Sequence, residues 1–198
     1  RFLLQRLAGS AACLLNYIPF PAGPAPAPSP AAPAAAADFG PRLLIAAAAD
    51  DAGRGLLHLL WTVLARNRRL ADRLLLAIQL PEKDPGRPAS QDLRIPPGLE
   101  SSVRLFAPPP DPLFQSCLER AILFMDLRLS PTEGAPSLLV GQMRRGVPVF
   151  SSNAALFSEL PDHCVSRISP FTPVEELESS LLALVENPRL RADRGASA

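Results

Sequence analysis

From Arg42 onward, short continuous apolar runs alternate with segments whose apolar residues recur at helical spacing, and few folds accept that pattern. The runs are "RLLIAAAA" (42–49), "RLLLAIQL" (73–80), "SVRLFA" (102–107), "ILFMDLRL" (122–129), "VPVFSS" (147–152) and the short "HCVSRIS" (163–169). A strand with one wet face alternates polar and apolar residues, whereas an unbroken run suits a strand covered on both faces, the usual state of a parallel sheet. Between the runs, "GRGLLHLLWTVLARN" (53–67), "PLFQSCLERA" (112–121), "PSLLVGQMRRG" (136–146) and "TPVEELESSLLALVEN" (172–187) read as helices, and "PRLRADRGA" (188–196) as a last short one. Arg66, Arg68 and Arg69 fall at the C-terminal end of the first helix, and Arg144–Arg145 at that of the third, where the dipole favours cations. Thr172, Pro173 and Glu175 fit N-cap, N1 and N3 of a capping box. Trp61 and Phe150 read as core.

The expected fold class is therefore α/β, a Rossmann-like doubly wound parallel sheet of about six strands with right-handed crossovers. Such a sheet places its ligand crevice at the carboxyl ends of the strands. The loops there are 48–54, 81–98, 108–111, 130–136 and 151–155. Residues 19–41, "PFPAGPAPAPSPAAPAAAADFGP", are low in complexity and read as a Pro/Ala-rich linker. Residues 1–18, with a short helix over 2–9 and a strand over 12–18, read as the end of a preceding domain or an N-terminal strand, and 42–198 as the main domain. The chain starts at Arg1, not Met, and is expected to be one part of a longer protein.

Basic and acidic residues interleave to a formal net charge of +1. That gives no reason to expect nucleic acid or an anionic membrane as partner. No apolar run reaches the ~18 residues of a spanning helix. Cys13, Cys117 and Cys164 include no CxxC pair, so neither a zinc site nor a disulfide framework is expected, and the expected setting is a reducing cytoplasm. His58 and His163 lack partners at metal-ligand spacing and read as packing or solvent-facing residues; no metal or cofactor is expected. Asp50 and Asp51 end the first run and suit a helix cap better than chemistry.

The richest stretch is "LSPTEGAPSLLVGQMRRGVPVFSSN" (129–153): strand end, a loop with Glu133 and Gly134, a helix, then another strand. A helix N-terminus after such a loop offers unsatisfied N–H groups and a positive dipole end, which suit a phosphate. Pro136 has no N–H, so its neighbours must supply the donors.

This stretch, with "SSNAALFSELPD", the end "SPFTPVEELESSLLALVENPRLRADRGA" and the front "RLLIAAAADDAGRGLLHLLWTVLA", resembles the C-terminal, donor-binding domain of retaining nucleotide-sugar glycosyltransferases of the two-domain GT-B fold. The resemblance is densest over 118–197. It implies hexosyl transfer from a UDP-, GDP- or ADP-sugar, with this chain as the donor-binding half and an N-terminal acceptor domain missing. It further implies that Glu133 contacts the donor sugar at the reaction centre, and that Gly134, Ala135, Pro136 and Ser137 hold the diphosphate with Arg54. The family's second glutamate, eight positions after the first, contacts the ribose; Gly141 stands there. The family's arginine at the end of the first strand aligns with Ala49. Lys83 and Arg87 lie in a loop that does not align. Loss of a cation and a carboxylate would together take a donor site from about micromolar towards millimolar. The alternative is thus a degenerate, non-catalytic domain serving as a binding or structural module. A third reading comes from "MDLRLSPTEG": phospho-receiver domains carry a similar run with Asp126 as phosphoacceptor. Against it stand the long spacing from Asp51, the lack of a lysine after the fifth strand, and the place of Asp126 inside an apolar run.

Overall fold

The computed structural model describes residues 42–49, 54–80, 94–106, 111–129, 137–153, 157–158 and 160–197. The helix expected over 2–9, the strand over 12–18 and the linker 19–41 lie outside them.

The elements run β1 Leu43–Ala48, α1 Arg54–Arg66, α2 Arg68–Arg73, β2 Leu74–Gln79, β3 Val103–Phe106, α3 Pro112–Arg120, β4 Leu123–Asp126, α4 Ser137–Arg144, β5 Val149–Ser152, β6 Ser166–Ile168, α5 Val174–Glu186 and α6 Pro188–Ser197. The six strands form one sheet in the order β3-β2-β1-β4-β5-β6. Every neighbouring pair is parallel. This is the doubly wound fold that the apolar runs predict. The chain winds outward from β1 to β3, then returns to place β4 on the other side of β1, so the direction of winding switches between β1 and β4.

The alternation of side chains along a strand divides the core in two. On one face Ile45, Leu76, Ile78, Met125 and Phe150 pack under α1 and α5, which contribute Leu56, Leu60, Trp61, Leu64, Leu177 and Leu181. On the other face Leu44, Ala46, Leu75, Phe124 and Val149 meet Phe114, Cys117 and Leu118 of α3 and Leu139 of α4. Each large apolar side chain fully buried there contributes about 1.5–3 kcal/mol. Trp61 and Phe150 are core, as expected.

Several local expectations give way to the structure. Arg68 and Arg69 do not extend α1: the Asn67 side chain accepts from the Leu70 N–H and starts a separate helix, α2. The capping box at Thr172 does not form. Thr172 Oγ1 accepts from the Ser169 N–H at 2.8 Å, closing a turn, and α5 starts after Pro173 without a side-chain cap. Glu175 instead meets Arg66 Nη1 at 2.6 Å, tying α5 to α1. The strand read over 122–129 runs only from Leu123 to Asp126; Leu127 stays buried, and its N–H still donates to the Ala48 carbonyl at 2.8 Å as the chain leaves the ladder.

At the amino-terminal edge of the sheet α6 passes tightly over the α4–β5 turn. Gly146 has φ +71°, a left-handed conformation that glycine adopts readily. A Cβ built on Gly195 would lie 1.8 Å from the Gly146 carbonyl oxygen. The close approach requires glycine at 195, whereas a Cβ on Gly146 would meet the Gly195 carbonyl at an ordinary 3.9 Å, so there it is the φ that favours glycine.

Candidate functional site

The register of the ladders places one residue from each strand in a single row across the carboxyl edge. Phe106 pairs with Gln79, Gln79 with Ala48, Ala48 with Asp126, Asp126 with Ser151 and Ser151 with Arg167. Residues paired directly across neighbouring strands point to the same face. Phe106 and Ala48 belong to the core cluster under α3 and α4, so the whole row lies on that face. In the next row deeper on that face Ala77, Ala46, Phe124 and Val149 are apolar and only Arg104, exposed on the edge strand β3, is charged. Four of the six residues in the last row are polar, at the edge where such sheets bind ligands.

Asp126 is fully buried and is held by its neighbour but one. Arg128 donates from Nε to Oδ1 at 2.9 Å and from Nη2 to Oδ2 at 2.7 Å, a bidentate fork. The Arg128 backbone N–H also reaches Oδ1, at 3.3 Å. Ser152 Oγ donates to the Arg128 carbonyl at 2.7 Å, and the guanidinium carbon lies 5.9 Å from the centroid of the Phe157 ring. Arg167, from β6, donates to the carbonyls of Phe157 and Leu160 and pairs with Asp162 at 3.3 Å. Together these bonds brace the ends of β4, β5 and β6 and the segment that follows β5. Because Asp126 offsets the charge of Arg128, the pair is a brace more than an anion trap.

Asp126 is the last residue of β4, not an interior one as the apolar run suggests. The receiver reading still fails, on different grounds: the carboxylate is 0% exposed and clamped by a guanidinium, so a phosphoryl donor has no approach to it.

Of the residues that the sequence points to, Glu133, Gly134, Ala135 and Pro136 lie outside the described residues, as do Asp50, Asp51, Lys83 and Arg87. Ser137 is the first residue of α4 and Arg54 the first of α1. These helices follow β4 and β1, adjacent strands, and pack on opposite faces of the sheet. Their N-termini therefore flank the same switch point from its two sides. Gly141 lies one turn into α4, and a Cβ built there meets nothing within 4 Å. Ala49 is 3% exposed among apolar neighbours. His58 is exposed on α1, and His163 is exposed as well. Among the described residues, no three His, Cys, Asp or Glu side chains are grouped to hold a metal ion, and no helix is long and apolar enough to cross a membrane.

Sequence reasoning missed the row itself. Gln79 and Asp126 each appear as one polar residue near the end of an apolar run, "AIQL" and "FMDL", and Ser151 as the first of two in "VFSS". That shared position is the signal that could have found them.

No family model matches the chain, and no curated protein matches it by sequence. Its fold does match solved structures. The C-terminal domain of a glycosyl transferase group 1 family protein (LpcC) from Francisella tularensis aligns over 78% of this chain and 81% of its own length, with TM-score 0.54 and 13% identity. HepE of Anabaena, solved in complex with UDP, aligns over 83% of this chain and 44% of its own, with TM-score 0.62 and 15% identity. The α,α-trehalose 6-phosphate synthase of Burkholderia multivorans aligns over 80% and 38%, with TM-score 0.60 and 13% identity. The chain thus spans less than half the length of the last two. It has the Rossmann-like fold of the C-terminal domain of GT-B glycosyltransferases.

Proposed function

We propose that this GT-B-like domain binds the nucleotide diphosphate of a sugar donor at its carboxyl edge, as the donor half of a glycosyltransferase. The observation that carries the reading is the start of α4 at Ser137, on the helix that follows a strand flanking the winding switch, near a row in which four of six residues are polar. Switch points are where open α/β sheets leave a crevice, and a helix N-terminus there presents N–H groups to an anion. In this reading Gly134, Ala135 and Ser137 cradle the diphosphate beside Pro136, Arg54 adds a cation from α1, and Glu133 orients the sugar. The brace of Asp126, Arg128 and Ser152 fixes the strand end from which that loop departs. Transfer itself would require the acceptor-binding half, and the greater length of HepE and of the trehalose 6-phosphate synthase is consistent with such a partner domain.

A second reading keeps the fold and drops the chemistry. Gly141 leaves open space where a ribose carboxylate would stand, and Ala49 is packed in the core where a phosphate-binding cation would stand. A site short of both would bind its nucleotide weakly and serve as a structural or interaction module.

Amide chemical shifts during a UDP titration test the placement. The proposal expects movement at Glu133 to Ala135 and at Ser137 to Val140, with Gly146 and Gly195 at the opposite edge unmoved. Uniform small changes, or none, would contradict it.

A further inference from the structure

We infer that Gln79 reads the nucleoside: its carboxamide N–H donates to a neutral oxygen on the base or ribose of a nucleotide lying across the carboxyl edge. The inference rests on the donor-binding reading above and goes beyond it in naming a residue that neither the loop motif nor its resemblance selects.

Three observations carry it. Gln79 is 4% exposed, yet its Nε2 has no hydrogen-bond partner among the described residues. A buried donor left unpaired is disfavoured, and native folds keep few of them without a reason. Second, Gln79 is the last residue of β2 and shares the polar row, one strand away from β1 and two from β4. Two strand spacings are roughly 10 Å. A diphosphate seated at the N-terminus of α4, reached from β4, would therefore leave the end of β2 within reach of its nucleoside, on the side where the unpaired Gln79 Nε2 stands. Third, the neighbours of Gln79 in the row are Phe106 and Ala48. An aromatic ring, a methyl group and a neutral amide suit a neutral, flat, oxygen-bearing group, whereas a phosphate would favour a cation.

Gln142 provides an internal control. It is also 4% exposed, with an unpaired Oε1. It lies at the far end of α4, where its backbone carbonyl accepts from the Arg145 and Val147 N–H groups, away from the carboxyl edge.

The test is calorimetric titration of the chain and its Gln79→Leu, Gln79→Met and Gln142→Leu variants with UDP, GDP and ADP, then with ribose 5-phosphate and inorganic pyrophosphate, alongside thermal melts without ligand. Both Gln79 variants are expected to bind the preferred nucleotide about five- to tenfold more weakly, the loss of one buried hydrogen bond. Pyrophosphate affinity should not change, and the unliganded melting temperature should hold or rise, since an unpaired donor has been removed. Gln142→Leu should leave nucleotide affinity unchanged. Weakened ribose 5-phosphate binding would assign the contact to the sugar, and unchanged binding to the base. Unchanged nucleotide affinity in both Gln79 variants, equal loss of pyrophosphate affinity, or clearly lower unliganded melting temperatures would each overturn the inference. Wild-type chain that binds none of the nucleotides would overturn the donor-binding reading, and this inference with it.

Discussion

The guanidinium of Arg128 grips the fully buried carboxylate of Asp126 by two parallel hydrogen bonds, 2.9 and 2.7 Å long, from two residues further along the same chain. A pair so close in sequence closes almost no loop, so it contributes little by restricting the unfolded chain. Its value is local: it turns the end of β4 into a fixed platform for the segment that leads to Glu133.

Removing one partner of a buried pair strands the other. Arg128→Met leaves the Asp126 carboxylate in the core without its guanidinium, and should destabilise the fold by about 3–5 kcal/mol. Asp126→Asn should cost less, because Arg128 keeps 18% of its side chain exposed and can turn to water. Urea unfolding of both variants and of the double variant checks this; the double variant should lose less than the sum of the two single ones.

Gly195 and Gly146 make the tightest backbone approach at the opposite edge. Gly195→Ala drives a methyl group into the Gly146 carbonyl, so α6 must shift, and about 1–3 kcal/mol of stability should be lost. Gly146→Ala should cost about 1–2 kcal/mol through its left-handed φ alone. Thermal melts would show both losses. A Gly195→Ala protein as stable as wild type would mean that α6 does not pack there.

Burial pushes the Cys117 thiol up to about 11, with the positive charge of Arg120 opposing that shift only in part. A thiol whose folded value exceeds its unfolded one contributes stability in full below the unfolded value near 9 and loses it as pH rises towards 11. Wild-type stability should therefore fall between pH 9 and 11 more steeply than that of Cys117→Ala. Mass-spectrometric mapping after thiol labelling at neutral pH should find Cys164, which is partly exposed, modified well before Cys117.

Gly141→Glu places a carboxylate on α4 at a position where a Cβ meets nothing within 4 Å. Replacing a helical glycine should add up to about 1 kcal/mol of stability. If only the missing ribose contact weakens the site, nucleotide affinity should rise about tenfold, the worth of one charged hydrogen bond. Calorimetry with the wild type as reference decides it. A gain in stability without a gain in affinity would favour the structural module.

The strands were legible because parallel strands buried on both faces leave runs such as "LLIAAA" and "LLLAIQ". Boundaries were less legible where burial outlasts the strand: Leu127 is as buried as Met125 but lies past the end of β4. Caps failed where two local solutions compete, since Thr172 can cap a helix or close a turn on Ser169, and packing of Pro170 near Gly55 accompanies the turn. The loop at Glu133 could be recognised as a motif. The polar row could not, because it depends on the register between strands far apart in sequence, and register is fixed by tertiary packing.

The most direct measurement is a thermal shift of the 198-residue chain with UDP, GDP and ADP, repeated with Glu133→Ala and Ser137→Pro. A ligand that binds only the folded state stabilises it by RT ln(1 + [L]/Kd), about 1.4 kcal/mol at ten times Kd. The account predicts a saturable rise with at least one nucleotide at millimolar concentration, smaller in Ser137→Pro, which loses an N–H at the start of α4, and little changed in Glu133→Ala, since the proposal assigns that carboxylate to the sugar and not to the diphosphate. No shift with any of the three nucleotides at 10 mM, against a typical weak Kd of about 1 mM, would contradict it.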